Sequence, residues 1–275
     1  MFGRPRRAPA APAPRRSAGG LLVTDGDTVE ASGRVELLPG RAPRFCAPAP
    51  ETGEGTVPSA TAPPKGCRMG VDLAGLDATR LPGDGTALLR GTLRHGVLQV
   101  TAQAPARPDP APSFDWRVPC PAPAGGWSRG RPDDEGLHEL VYDEHPDWYR
   151  DLRVAYPDGE PGDATESPQP RTVFVVEVVA TDHGAAERAV RDRYAGDVCF
   201  VTLPGAKSLA DQQRDLEQVQ DVVDPLMRDP ANGIYLVSGG DLVEVQMVAL
   251  TPALRERLHP VLPLISANPW LRPAT

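Results

Sequence analysis

The sequence predicts an α+β protein, with a small Greek-key, OB-like β barrel followed by a ferredoxin-like domain of order β-α-β-α-β-β-α-β. Two observations lead to this fold class. A strand pattern that ends in threonine occurs twice near the end of the chain, at 173–181 and 243–251, and a short helix pattern and a second apolar run follow each copy. Residues 21–106 instead contain short apolar segments separated by turns, without helical periodicity.

Residues 1–20 are predicted to form a disordered basic arm. They carry five arginines and no acidic residue. The whole chain has a net charge of −8, and 108–170 alone contains fourteen acidic and five basic residues. Such an acidic body argues against a nucleic-acid-binding domain. The arm is expected to be a solvated tail, with contact to an acidic partner or to lipid headgroups as the alternative.

The predicted β-barrel domain spans 21–106. Its candidate strands are short and separated by turn residues, at 21–24, 29–38, 44–46, 71–73, 86–93 and 97–102. Arg94-His95-Gly96, between the last two strands, is typical of a tight hairpin. Five or six such strands without a helix favour a small barrel, with a long loop over one end between residues 40 and 69.

Residues 107–170 are predicted to form an acidic, proline-rich linker with one short helix. Eight prolines occur between 104 and 132, and they favour an extended spacer or surface strap. Trp116 and Trp127 indicate that this stretch packs on a domain; recognition by an aromatic-lined groove is the alternative. The helix is expected at 133–149, with acidic residues in its first turn.

The C-terminal α+β domain is predicted at 171–275. Asp182, Ser208 and Thr251 each precede an amphipathic segment, at the position where an N-cap residue is expected. The segment after Ser208 is the longest of the three. The two apolar runs that follow it are expected to pair as a hairpin, because a glycine-containing turn separates them.

Four cysteines are present, Cys46, Cys67, Cys120 and Cys199, and no two have the Cys-x-x-Cys spacing of a zinc knuckle or redox motif. Cys46 and Cys67 bracket a loop rich in proline, glycine and threonine, which a disulfide would restrain. The alternative is that both are reduced thiols. Because no secretory signal follows the basic start, the chain as written is expected to be cytoplasmic, with export as the alternative.

The sequence predicts no catalytic residue and no cofactor. The phosphate-binding loop, the dinucleotide-binding glycine motif and the nucleophile elbow do not occur. A metal site is predicted at His138, Glu139 and His145, because the two imidazoles lie two helical turns apart. The zincin motif itself is interrupted, since Tyr142 stands where its second histidine is required. The alternative is a solvated acidic helix.

Three short segments occur in a characteristic order between 144 and 223: His-Pro-Asp-Trp-Tyr at 145–149, the strand 173–180 followed by Thr-Asp, and Ser-Leu-Ala at 208–210. In this order they resemble the pro-region of secreted bacterial serine proteases of the alpha-lytic type. The aromatic–Gly–Trp pattern of that family is replaced by Arg-Asp-Leu-Arg at 150–153, and no Gly-Asp-Ser-Gly motif occurs. The resemblance implies a module that binds or steadies a partner protein and assigns no catalytic residue. The Pro-Cys-Pro stretch around Cys120 also resembles actinobacterial proteins.

The function predicted is that of a non-enzymatic scaffold that binds a protein or a ligand. Its contact surface is expected on an exposed sheet face or edge of the C-terminal domain. Separately, Glu177 and Glu244 interrupt apolar strands and are expected to face outward. One alternative is a metal-dependent hydrolase with its site in the acidic segment 133–147. The other is an envelope-associated structural protein. No apolar stretch has the length of a membrane span, so no transmembrane segment is expected.

Overall fold

The computed structural model describes residues 18–48, 67, 69–106, 116–128, 135–159 and 171–274. Within these ranges the protein is mixed α+β, with twelve strands in three sheets and four α-helices. The predicted basic arm lies outside the described residues except for its last three positions, where a short 3-10 turn, Ala18–Leu21, begins. None of the described helices combines the length and the apolar character needed to cross a lipid bilayer.

The N-terminal sheet has the strand order β12-β1-β2-β3-β5-β4, in which β12 is the short strand Arg272–Pro273 near the end of the chain, and β1 pairs with β4 as well as with β2. Pairings therefore run from β1 through the other N-terminal strands and back to β1. All of them are antiparallel except β3 with β5, which is parallel. The first five strands are β1 (Thr28–Glu36), β2 (Arg44–Cys46), β3 (Gly70–Ala74), β4 (Thr86–Arg94) and β5 (Val97–Pro105).

Alternation of apolar and polar side chains explains the inner face of this sheet. Val29, Phe45, Leu89 and Leu98 are all fully buried and belong to one hydrophobic cluster. The β4–β5 hairpin closes through His95 and Gly96, whose φ angles of 50° and 77° are both positive, as a two-residue turn of the hairpin type requires. The hairpin expected from Arg94-His95-Gly96 is thus present.

A first α+β unit, here called the first unit, follows the proline-rich region. Its sheet has the order β6-β7-β8, with β6 antiparallel and β8 parallel to the central strand. The helix α1 continues directly into one π-helical turn, Leu140–Glu144. The elements are α1 (Glu135–Glu139), β6 (Tyr149–Ala155), β7 (Val173–Val178), α2 (His183–Arg193) and β8 (Val198–Thr202).

A second unit has the same succession of elements. Its sheet has the order β11-β10-β9, again with one antiparallel and one parallel neighbour of the central strand. A reciprocal capping box between Ser208 and Asp211 starts its long helix, and Thr251 caps the short one. The elements are α3 (Leu209–Met227), β9 (Ile234–Ser238), β10 (Val243–Met247), α4 (Pro252–Arg257) and β11 (Ile265–Pro269).

The two units correspond to one another residue by residue around their central strands. Asp182 caps α2 four positions after β7 ends at Val178, and Thr251 caps α4 four positions after β10 ends at Met247. The antiparallel ladders also carry a register shift at the same place. It lies beside the pair Tyr149–Val178 in the first unit and beside the pair Ile234–Met247 in the second. The repeat seen in the sequence is therefore a duplicated αββαβ unit.

The ferredoxin-like arrangement predicted for 171–275 differs from the observed pairing. The element order is as predicted, but the strands are divided between two sheets of three instead of one sheet. Two features explain the division. The helix α3 has nineteen residues; its first residue, Leu209, packs in the cluster of the first sheet, whereas Val219, Val223 and Leu226 pack in the cluster of the second. The strand β6, which the sequence analysis did not find, already occupies the free side of β7.

The helix expected at 133–149 is shorter than predicted. Its helical part ends at Glu144, and Tyr149 already begins β6. His-Pro at 145–146 separates the two elements, because proline disfavours helical geometry in the residue before it. Leu137, Leu140 and Val141 nevertheless pack as one face against the first sheet, as their spacing indicated.

The end of the chain returns to the N-terminal sheet. The short strand β12 (Arg272–Pro273) pairs with β1, and Trp270 and Leu271 belong to the hydrophobic cluster of that sheet. Near the start of the chain, the Val23 amide donates a 2.9 Å hydrogen bond to the carbonyl oxygen of Leu250. The predicted strand at 21–24 is reduced to a single bridge between Leu22 and Leu250. The second unit and the N-terminal sheet therefore pack as neighbours.

Candidate functional site

The three residues predicted to bind a metal are each engaged elsewhere. The His138 ring stacks on Tyr142 with 4.3 Å between ring centroids, and the His145 ring stacks on Trp148 at 4.0 Å. A carboxylate oxygen of Glu139 lies 3.7 Å from the Arg193 guanidinium. In the structure each of these three side chains therefore contacts a neighbour of its own.

Among the described residues, one group of three potential metal ligands lies within 4.8 Å of one another, and it is formed by Glu36, Cys46 and Cys67. The two sulfurs of this group are bonded to each other in a disulfide. A disulfide sulfur carries no thiolate charge and is not a metal ligand in this state. The Glu36 carboxylate instead accepts a 2.6 Å hydrogen bond from the Cys67 amide.

All four cysteines of the chain are paired in the structure. Cys46 joins Cys67, with 5.7 Å between their Cα atoms, and Cys120 joins Cys199 at the same separation. The sequence analysis considered the first pair and did not find the second. A count would have found it, because four cysteines with one pair assigned leave one further pairing.

The second disulfide fastens a segment, here called the strap (residues 116–128), to the first unit. Val118, Cys120 and Trp127 of the strap pack on the outer face of the first sheet, the face opposite its helices. The part of the outer face that contacts the strap is apolar: Ala155, Val173, Val175 and Cys199 are at most 1% exposed. The strap therefore completes a hydrophobic layer that the sheet alone would leave open to water.

Hydrogen bonds hold both ends of the strap. The Tyr156 amide donates a 2.7 Å bond to the carbonyl oxygen of Trp116, and the two rings lie 5.5 Å apart. At the other end, both the amide and the hydroxyl of Ser128 donate to the Asp197 carboxylate. These contacts agree with the prediction that Trp116 and Trp127 mark a segment packed on a domain.

The outer face of the second sheet is polar on β10 and β11, beside the half-buried Leu236 of β9. It carries Glu244 and Gln246 from β10 and Ser266 and Asn268 from β11, and we call these four residues the polar face. The Glu244 carboxylate accepts a 3.0 Å bond from Gln246 Nε2 and a 2.8 Å bond from Asn268 Nδ2. Ser266 is exposed and the other three are half-buried, so this face presents an ordered polar surface.

Two neighbours extend the polar network at the side of β12. Arg272 Nη2 donates a 2.7 Å bond to Asn268 Oδ1. Burial raises the pKa of Tyr235 to about 12, the Glu244 charge adds to this rise, and Arg272 opposes it. Tyr235 is therefore neutral at physiological pH and retains its hydroxyl proton for donation.

A charged cluster links the two units. Arg150, at the register shift of β6, binds the Glu177 carboxylate on the outer face of β7 and also binds Asp241, with 2.9 Å between Nη2 and Oδ2. Lys207 Nζ donates a 3.0 Å bond to the Asp241 carbonyl oxygen. Partial burial works to lower the pKa of Arg150, but hydrogen bonds to Asp241 and attraction to Glu177 raise it overall. The cluster therefore holds the β9–β10 turn against the first sheet.

Two serine hydroxyls lie on carboxylates, and both contacts have structural roles: Ser208 with Asp211 forms the capping box of α3, and Ser128 with Asp197 holds the strap. The buried Ser208 caps α3. Comparison of the chain with models of protein families, with curated proteins and with solved structures finds no match.

Proposed function

We propose that this chain is a non-enzymatic binding scaffold that acts outside the reducing cytoplasm and engages a protein partner through the polar face. The observation that carries the proposal is the difference between two units of the same design. The outer face of the first sheet has an apolar part that a disulfide-tethered strap covers, whereas β10 and β11 of the second sheet present the ordered polar face. This difference is what we expect if the second unit, with its polar face, contacts a partner protein.

The compartment follows from the cysteines. Disulfides persist in oxidising environments and are rare in cytosolic proteins. Two of them, using every cysteine of the chain, favour an exported protein over the cytoplasmic location expected from the sequence. The resemblance of 144–223 to the pro-region of secreted proteases supports the same compartment and a role in binding or steadying another protein. The envelope-associated structural alternative shares this compartment.

The proposal also includes a finer fold assignment. We infer that strands β1 to β5 form a small OB-like barrel, because their pairing order returns to β1 and because β3 and β5 are parallel. In this arrangement the barrel holds the second sheet in place, since Trp270 and Leu271, which follow β11, pack in the barrel core. The polar face is thereby fixed relative to the barrel.

A photo-crosslinking experiment tests the proposed surface. A benzophenone side chain is introduced at Ser266, an exposed residue of the polar face, and at Glu256, an exposed residue of α4, as the matched control. In cells of the source organism, we expect a discrete protein adduct from position 266 and none from 256. The substitution Gln246→Arg should abolish the adduct, whereas Glu256→Arg should leave it unchanged.

Two results would contradict the proposal. The first is equal crosslinking at both positions, which would mean that the polar face has no preference for a partner. The second is turnover of a substrate by the purified protein together with stoichiometric zinc or manganese, measured by elemental analysis. That result would favour the metal-dependent hydrolase with a site in 133–147.

A further inference from the structure

A cleft of about 440 Å³ lies where the N-terminal sheet meets the second unit. One wall comes from β2, β3 and the β4–β5 hairpin, and the other comes from α4 and the turn before β9. Ligand sites of small molecules have this size and commonly occur where two structural units meet. The cleft is separate from the polar face, which belongs to the other side of the second sheet.

The lining of the cleft combines apolar and polar surface and carries positive charge. Both walls contribute half-buried apolar side chains, Met69 and Leu93 from one and Val248 from the other, whereas Val71, Leu254 and Leu271 are buried. The charged residues are Arg44 and Arg257, and the described lining contains no aspartate or glutamate. An anion with an apolar body could therefore bind with its charge on an arginine and its apolar part on the apolar side chains.

The two arginines differ in how their charge is compensated. Arg44 pairs with Asp72, with 2.9 Å between Nη1 and Oδ1, and Nη2 donates to the Gly70 carbonyl oxygen. Its guanidinium therefore serves to hold β2 against β3. Arg257 is exposed, and its one described side-chain hydrogen bond is donated by Nη1 to Asn232 Oδ1 over 2.7 Å, a neutral acceptor. The charge of Arg257 is thus available to a ligand.

The turn before β9 fixes the position of the Arg257 guanidinium through Asn232. Asn232 Nδ2 donates a 2.8 Å bond to the Leu226 carbonyl oxygen, which fixes the amide so that its oxygen faces the guanidinium. The next residue, Gly233, has φ of 63°, and a Cβ there would lie 3.0 Å from Cβ of Val248. A glycine is therefore required to seat this turn against β10. A guanidinium held in this way loses little freedom when it binds an anion.

We propose that this cleft binds an organic carboxylate with an apolar body, with the carboxylate on Arg257 and the apolar part against Met69, Leu93 and Val248. Free alkyl carboxylates and the free C-terminus of a peptide that ends in leucine share this chemistry. The inference does not depend on the polar face or on its partner.

Isothermal titration of the oxidised full-length protein tests the proposal. Decanoate below its micelle concentration should bind, and decanol, which lacks the charge, should bind at least about tenfold more weakly, as expected for the loss of a charge-assisted contact. Arg257→Gln should weaken decanoate binding to the same degree. Arg228→Gln, an equal change of charge at an exposed residue outside the cleft, should leave it unchanged.

Further arms define the source of the ligand and check the fold. A short peptide ending in leucine is compared as the free acid and as the amide, and a preference for the peptide acid over decanoate would identify a peptide C-terminus as the source. Ala253→Trp, which fills the cleft, should abolish binding of either probe. Unchanged thermal unfolding of each variant shows that its fold is retained. The proposal is overturned if neither carboxylate binds the wild-type protein, if decanol binds as well as decanoate, or if Arg257→Gln and Arg228→Gln behave alike.

Discussion

Removal of the Cys120–Cys199 disulfide should cost more stability than removal of Cys46–Cys67. Cys120–Cys199 joins residues 79 apart in sequence, and Cys46–Cys67 joins residues 21 apart. If each bridge acts by limiting the entropy of the unfolded chain, they contribute about 4.5 and about 3.3 kcal/mol respectively at 25 °C. The double variant Cys120→Ala/Cys199→Ala should therefore lower the free energy of unfolding by roughly 1 kcal/mol more than Cys46→Ala/Cys67→Ala does.

Urea unfolding followed by tryptophan fluorescence gives the two free energies, and hydrogen exchange shows where each variant loosens. Loss of Cys120–Cys199 should increase exchange in the strap and in β7, whose residues Val173 and Val175 are fully buried beneath it. Loss of Cys46–Cys67 should leave both segments protected. Equal free energies, together with unchanged exchange in β7, would refute the view that the bridge holds a strap over an apolar sheet face.

Three further predictions concern stability. Burial raises the pKa of Tyr149 to about 12, so the unfolded chain loses this proton at a lower pH than the folded chain does. The free energy of unfolding should therefore fall by about 2–3 kcal/mol between pH 10 and 12. Urea titrations at alkaline pH should show a fall that is smaller by this amount for Tyr149→Phe. Ser208→Ala removes the N-cap of α3 and should lower the free energy of unfolding by about 1 kcal/mol in urea titration, so no change would show that the capping box is dispensable. Gly33→Ala should lower the melting temperature, because its Cβ would lie 2.7 Å from the backbone oxygen of Cys46. Gly83→Ala, which has open space around it, should leave the melting temperature unchanged. Equal melting temperatures for the two variants would mean that the sheet adjusts to the added methyl group.

The parts of the fold that depend on local pattern could be predicted from the sequence. The β4–β5 hairpin follows from His95-Gly96, and the N-caps Asp182, Ser208 and Thr251 all accept the expected backbone hydrogen bonds. The strand β6 was missed because Arg150 begins a stretch of alternating charges beside a proline-rich region, which is not a typical strand pattern. Its pairing with β7 supplies the order that its own sequence does not.

The candidate site depends on pairings between distant parts of the chain, and these have no local signal. Glu244 and Asn268 are 24 residues apart and meet because β10 and β11 are parallel neighbours in one register. The prediction that Glu177 and Glu244 face outward required alternation alone, and both lie on outer faces. That Glu177 meets Arg150 whereas Glu244 meets two amides required the register of two separate sheets.

The most direct test of the account is a count of free thiols in the protein isolated from its source organism, with alkylation under denaturing conditions and peptide mass spectrometry. We expect no alkylated cysteine before reduction and the two linked peptides Cys46–Cys67 and Cys120–Cys199. Four alkylated cysteines would place the protein in a reducing compartment, leave the strap untethered, and contradict the proposed scaffold.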